Sequence, residues 1–205
     1  KLTEALRIET DVFHKKLTRL IVGEPENNEG QGYAQGVQLL VRHDLTRRLF
    51  GWVSYAYVDS KKRRRGADEF IRTQWDQPHQ LSVVSSVKLT PDWIVGSTFR
   101  FTSGSPYTPL FNDEKRDPDL DEDTEAEALP TELNSGRLIA FQRLDLRVDR
   151  SVRLRYAELS FFLDLFNVYN RKNESFRIPV FEDPGRYFPL STSGMLIYGG
   201  VTARF

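Results

Sequence analysis

Residues 143–149 read RLDLRVD, and the parity of that stretch decides the fold. Leu144, Leu146 and Val148 fall on one parity, while Arg143, Asp145, Arg147 and Asp149 fall on the other. Side chains alternate sides along a strand, so one side of this segment is wholly apolar and the other wholly charged. Working outward, residues 157–165 (AELSFFLDL) repeat the pattern, with Ala157, Leu159, Phe161, Leu163 and Leu165 opposed to Glu158, Ser160 and Asp164. The same template predicts about eight strands, near residues 5–22, 32–44, 49–59, 79–90, 92–105, 140–150, 153–169 and 194–205. No segment carries a helical period.

Composition fits this reading. At 205 residues and 39% hydrophobic, the chain can build a sizeable buried or lipid-facing surface. Its 29 Lys and Arg cancel its 29 Asp and Glu, so no global field recruits nucleic acid, and any electrostatic role is local. The absence of cysteine excludes disulfides and thiolate chemistry. No apolar run is long enough for a spanning helix, although membrane-crossing strands look only half hydrophobic and escape that test. The chain opens KLTEAL, without Met or signal peptide, and reads as a processed product or a fragment.

The connections alternate strictly between long and short. Long polar ones follow the first, third, fifth and seventh strands: GEPENNEGQ, the 20-residue DSKKRRRGADEFIRTQWDQP, residues 105–138, and RKNESFRIPVFEDPGRYFPLSTS. Short ones follow the even strands: LTRR, TPD and SV. Antiparallel neighbours joined in this way put all long loops at one end of the sheet and all tight turns at the other, as in an outer-membrane barrel with long extracellular loops and short periplasmic turns. Several runs also exceed the ~9–11 residues that a tilted strand needs to cross a bilayer. Aromatic residues cluster near strand ends, Phe50 and Trp93 beside short turns and Tyr55, Tyr57, Tyr107 and Tyr169 toward long loops, as two interfacial girdles would. Trp52 departs from that pattern, since its parity opposes Val53 and Tyr55 and turns it inward.

The final strand, GMLIYGGVTARF, sets Met195, Ile197, Val201, Ala203 and Phe205 on one face and Tyr198, Thr202 and Arg204 on the other. Apolar residues at every second position before a terminal Phe resemble the signal read by the barrel assembly machinery, here Ile197, Val201, Ala203 and Phe205. With the loop rhythm in place, the segments GYAQGVQLLVRHDL, WVSYAYVDS, WDQPHQLSVVSSVKL, SGSPYTP, RLDLRVDRSV, YAELSFFLDLFNVYNRKN and GGVTARF resemble, in order and over nearly the whole chain, the barrel of the TonB-dependent outer-membrane receptors. The resemblance implies an all-β antiparallel transmembrane barrel in the bacterial outer membrane, and a receptor that imports a scarce large solute such as a siderophore or other metal chelate, a vitamin or an oligosaccharide. It further implies about 22 strands around an N-terminal plug. Partners implied are the solute, outer-membrane lipid and lipopolysaccharide, and TonB through the plug. About eight strands and no plug segment make residues 1–205 a single barrel domain, the C-terminal portion of such a receptor. Either the strands complete a larger sheet, or they close alone as a small barrel that anchors or adheres; a soluble lipid-binding barrel is a third arrangement.

Candidate sites follow from these faces. Arg100, Arg143, Asp145, Arg147, Asp149, Glu158 and Asp164 form a polar ladder suited to a wet lumen. Trp75, Asp76, Tyr107 and Phe111 lie at outer strand ends, where a vestibule would meet a ligand. Residues 112–132 hold ten acidic and two basic side chains without the spaced Gly of an EF-hand, and read as a solvated loop. KKRRR (61–65) reads as a basic loop able to hold phosphates. His14, His43 and His79 have no two-ligand spacing, and no GxSxG occurs, so neither metal, cofactor nor catalysis is expected. The sequon Asn173-Glu174-Ser175 has no role in a bacterial barrel.

Overall fold

A computed structural model describes residues 5–22, 27–63, 68–109, 133–180, 187–192 and 194–205. These form β1 (Leu6–Val22), β2 (Asn27–His43), β3 (Leu49–Arg63), β4 (Ile71–Arg72), β5 (His79–Lys88), β6 (Trp93–Thr102), β7 (Pro106–Tyr107), β8 (Gly136–Arg137), β9 (Phe141–Arg153), β10 (Glu158–Phe166), β11 (Glu174–Pro179), β12 (Tyr187–Ser191) and β13 (Leu196–Arg204). Eight of them pair in the order β1-β2-β3-β5-β6-β9-β10-β13, with β4 appended to β3, and two small ribbons, β7-β8 and β11-β12, stand apart. Every pairing is antiparallel. Within the described residues β1 and β13 pair along one side only, so the sheet is an open arc and does not close on itself.

Register carries the parity of single strands across the whole sheet. One row reads Ile8, Val41, Val53, Val83, Phe99, Leu144, and another Leu49, Val87, Val95, Val148, Leu163, Gly199. The opposite face reads Arg42, Trp52, Val84, Thr98, Asp145 and, one row out, Leu40, Ser54, Ser82, Arg100, Arg143. Because a one-residue slip would reverse every side chain, such two-sided rows fix the register. Trp52 indeed stands on the polar side, as its parity requires.

Among the described residues no second layer covers either face. Among the described hydrophobic residues only Leu138 is sealed, at 7% exposure, while Leu163 is 43% exposed and Leu144, Leu146 and Leu159 are half-buried. A soluble domain of this size would seal a central cluster. Here the apolar rows end in open space.

The tight turns use hydroxyl caps. Thr46 Oγ1 accepts from Leu49 N–H at 3.3 Å, and Thr90 Oγ1 accepts from Asp92 and Trp93 N–H at 3.3 and 3.1 Å. The third turn lies elsewhere than SV. β9 runs on through Arg153, and the chain reverses over residues 154–157, where Leu154 N–H donates to the Ala157 carbonyl at 2.8 Å. Val152, Leu154 and Tyr156 keep alternating with Arg153 and Arg155 through that turn, so the pattern contains no stop signal. Two strands also outrun their expected ends. β2 starts at Asn27 rather than near residue 32, and β3 continues to Arg63, which places Lys61, Lys62 and Arg63 in a strand instead of a basic loop. Polar strands standing in water show no apolar alternation, hence the shortfall.

Candidate functional site

The polar face is built by β9 and its neighbours. Arg143 donates through Nε to Asp145 Oδ2 at 3.0 Å, and Asp145 Oδ1 accepts from Asn167 N–H at 2.9 Å, tying the strand to the bend that ends β10. Arg147 grips Asp149 in a fork, with Nη2 to Oδ1 at 2.7 Å and Nε to Oδ2 at 2.9 Å, and reaches Asp164 Oδ2 across the ladder at 2.8 Å. Its guanidinium also sits 4.5 Å from the centroid of Phe162, which packs at 5.6 Å against Tyr198. The ladder residues therefore form two groups on one face, Arg143 with Asp145 and Arg147 with Asp149 and Asp164. Arg100 faces Arg143 in register, and Glu158 lies between Arg153 and Arg204.

The outer rim is built differently. Asp76, 5% exposed, accepts from Arg137 Nη2 at 2.6 Å, and Nη1 of the same guanidinium donates to the carbonyls of Asp76 and Gly104 at 2.6 and 2.7 Å. One arginine thus fastens the segment after β4, the end of β6 and the β7-β8 ribbon. Gly104 is required there, since a Cβ would collide with the Leu138 carbonyl. Nearby, Asn134, at φ 59°, donates from Nδ2 to the Arg72 carbonyl at 2.7 Å, and Arg72 Nη1 donates to the Ser135 carbonyl at 3.0 Å.

The segment NVYNRKN (167–173) uses asparagine amides as substitute peptide groups. Asn173, fully buried, donates to the Gln142 carbonyl at 2.8 Å and accepts from Gln142 N–H at 2.9 Å, as a strand partner would. Asn167, 3% exposed and at φ 53°, makes the same reciprocal pair with Arg171. Asn170 Oδ1 accepts from Met195 N–H at 2.9 Å, anchoring the approach to β13. Beside them Glu174 receives Arg177 at 2.6 and 3.2 Å and the Ile139 N–H at 3.4 Å. The Arg177 guanidinium, opposed by burial and helped by that N–H, holds the Glu174 carboxyl below the usual carboxylate range. Arg177 in turn donates to Tyr107 Oη at 2.8 Å and lies 5.0 Å from its ring centroid.

The vestibule residues are thus scattered in role. Trp75 is 79% exposed, whereas Asp76 is engaged by Arg137, and Tyr107 packs between Arg177, Gly136 and Tyr187. Phe111, the acidic stretch 112–132, and Arg64 and Arg65 of the basic run lie outside the described residues. Ile197, Val201 and Ala203 of β13 pair with Leu165, Phe161 and Leu159, while Phe205 is 98% exposed. The sequon asparagine Asn173 has both ends of its amide engaged and no surface to offer a glycan. No group of three His, Asp or Glu converges on a metal position among the described residues. Arg137, Glu174 and Arg177 escaped the sequence reading; only the three asparagines within seven residues hinted at a built turn.

No protein-family profile and no curated protein sequence matches this chain. Solved structures do. The chain is similar to the ferric-catecholate import receptor Fiu from Escherichia coli K12 in its closed form, with 14% identity and TM-score 0.64, covering 99% of this chain and 26% of that one. It is similar to the unliganded ferric citrate transporter FecA at 18% identity and TM-score 0.65, covering 98% and 29%. The outer membrane transporter YddB from Escherichia coli matches at 11% identity and TM-score 0.61, covering 99% and 31%. The chain therefore spans between 26% and 31% of the length of these three structures. It has the fold of an arc of the outer-membrane β-barrel of TonB-dependent receptors, the family its segments resemble.

Proposed function

We propose that this chain is part of the wall of a TonB-dependent transporter in the outer membrane of a Gram-negative bacterium. Its apolar rows meet hydrocarbon and its Arg-Asp ladder lines a wet lumen. One observation carries the reading: one apolar row runs from β1 to β9 and another from β3 to β13, with no protein layer over them among the described residues, opposite a face bearing paired charges. In water, such a surface would exceed the few hundred Å² of contiguous apolar patch that soluble monomers expose. In a bilayer it is the required exterior. The open edges of β1 and β13 favour membership of a larger barrel over a small autonomous anchor, because closure is what removes sheet edges.

The solute we assign is a metal chelate, on the strength of the likeness to a ferric-catecholate import receptor and a ferric citrate transporter. Trp75 would meet it first and the ladder residues would line its path, while TonB would act through a plug. Ile197, Val201, Ala203 and Phe205 would be read by the barrel assembly machinery. Lys61 and Arg63, which share the parity of Val53, Tyr55 and Tyr57 beyond the apolar rows, would face lipopolysaccharide. The neighbours are transporters and receptors, and no catalytic step is assigned. The test is uptake of radio-iron chelates by cells carrying or lacking the full-length protein, in backgrounds with and without TonB. Uptake that needs both supports the reading; a protein recovered in the soluble fraction, or uptake indifferent to TonB, overturns it.

A further inference from the structure

We infer that the short-turn end of the apolar face holds a phosphate-recognising site for one glycerophospholipid, built on Arg150 and Trp93. The inference rests on the proposal that this face meets lipid. In register, one row reads Trp93, Arg150, Phe161, Val201, and along β9 the same-face neighbours of Arg150 are Val148 and Val152. An arginine thus stands on the apolar side with only apolar and aromatic residues beside it. Its guanidinium lies 5.0 Å from the Trp93 ring centroid. Among the described residues no carboxylate forms an ion pair with it, whereas Arg143 and Arg147, on the other face of the same strand, are both paired with aspartates.

Depth decides what can balance this charge. A cation on the lipid side of a barrel costs about 2–4 kcal/mol at the bilayer midplane but only about 0–1 near the interface. Arg150 pairs with the first residue of β6, beside a tight turn, and stacking against an indole is typical of the interfacial belt. At that depth the anions on offer are lipid phosphates, and a planar guanidinium binds phosphate through two parallel hydrogen bonds. From the cation a groove of about 390 Å³ runs between Trp93, Val148, Phe161 and Leu163. Its walls are side chains that an acyl chain would cover. The ligand is therefore an amphiphile with a phosphate at one end and an alkyl chain at the other, drawn from the leaflet on the short-turn side. At the long-loop end of β9 the same face carries Gln142, an uncharged residue, so the site is confined to one leaflet.

The experiment uses the full-length protein reconstituted in phosphatidylcholine nanodiscs, with the Trp93 signal taken as the difference from a Trp93→Phe blank. Brominated phosphatidylglycerol should quench it at a mole fraction about fivefold below that needed for a brominated glycosyl diacylglycerol lacking phosphate, the ratio given by about 1 kcal/mol per cation at a membrane surface. Arg150→Gln should erase that preference and Arg150→Lys should keep most of it. Excess inorganic phosphate should leave it unchanged. Equal quenching by both lipids, or a preference that survives Arg150→Gln, overturns the site while leaving the barrel intact. Loss of the preference in inorganic phosphate would assign the groove's cation to the free ion and overturn the lipid site. Absence of quenching by either lipid would remove the lipid-facing assignment along with the site.

Discussion

The wall and the rim of this protein are held together by opposite means. In the wall, formed by β5, β6, β9 and β10 with their neighbours, no described residue apart from glycine is sealed, and the backbone ladder supplies the order. At the rim the sealed side chains are those of Asp76, Asn167 and Asn173, with Leu138 and Pro106 the sealed apolar ones described. The difference teaches where apolar burial comes from. In the barrel proposed above, the wall would obtain it from lipid outside the polypeptide and so would need no core of its own. Short ribbons such as β7-β8 and β11-β12 have neither lipid nor enough chain for a core, and polar side chains that replace peptide partners hold them in place.

The contrast is open to direct attack. The largest effect is expected from Arg137→Met, which strands a buried aspartate; breaking such a pair costs about 3–5 kcal/mol, while the double change Asp76→Leu with Arg137→Met costs far less. Hydrogen exchange should show amides of residues 71–78 and 104–109 losing protection, with those of β9 unaffected. If β9 loosens equally, wall and rim are one cooperative unit. Next in size, Leu146→Arg should destabilise the protein in lipid by about 2–4 kcal/mol, against at most about 1 for Thr98→Arg on the other face. Urea unfolding from vesicles reads both, and equal costs would break the assignment of faces.

The smallest effect concerns acid. Because Arg177 holds the folded-state pKa of Glu174 below its unfolded value, the pair contributes stability that is fully present above the ordinary carboxylate pKa of about 4.3 and is lost as pH falls through the lower folded value. Exchange protection at Ile139 and Arg177 should therefore hold from neutrality to about pH 5 and decline only below the ordinary carboxylate value. Glu174→Gln should show no such step, and a step near neutrality would implicate a different group.

The wall was legible in the sequence and the rim was not, for a physical reason. A bilayer demands alternation at every second residue, so RLDLRVD and AELSFFLDL declare their strands without help from distant residues. The rim answers to no such demand. Arg137 finds Asp76 across 61 residues, and Arg177 finds Tyr107 across 70, in segments with no periodicity to betray the partners. The same absence hid the water-exposed ends of β2 and β3. It also left Trp75, Asp76 and Tyr107 looking alike, although one is open to solvent and two are engaged.

Strand length has a last consequence. β1 and β2 run for 17 residues each, whereas β5 and β6 stop at 10. At about 3.4 Å per residue and a tilt near 45°, the short pair rises roughly 24 Å, close to one apolar belt, and the tall pair roughly 41 Å. The paired wall along this arc is therefore oblique, taller by roughly 17 Å on the β1-β2 flank. Over the short pair the described chain continues as the Arg137-fastened ribbon β7-β8, so height on that flank is supplied by polar clamps and not by paired wall.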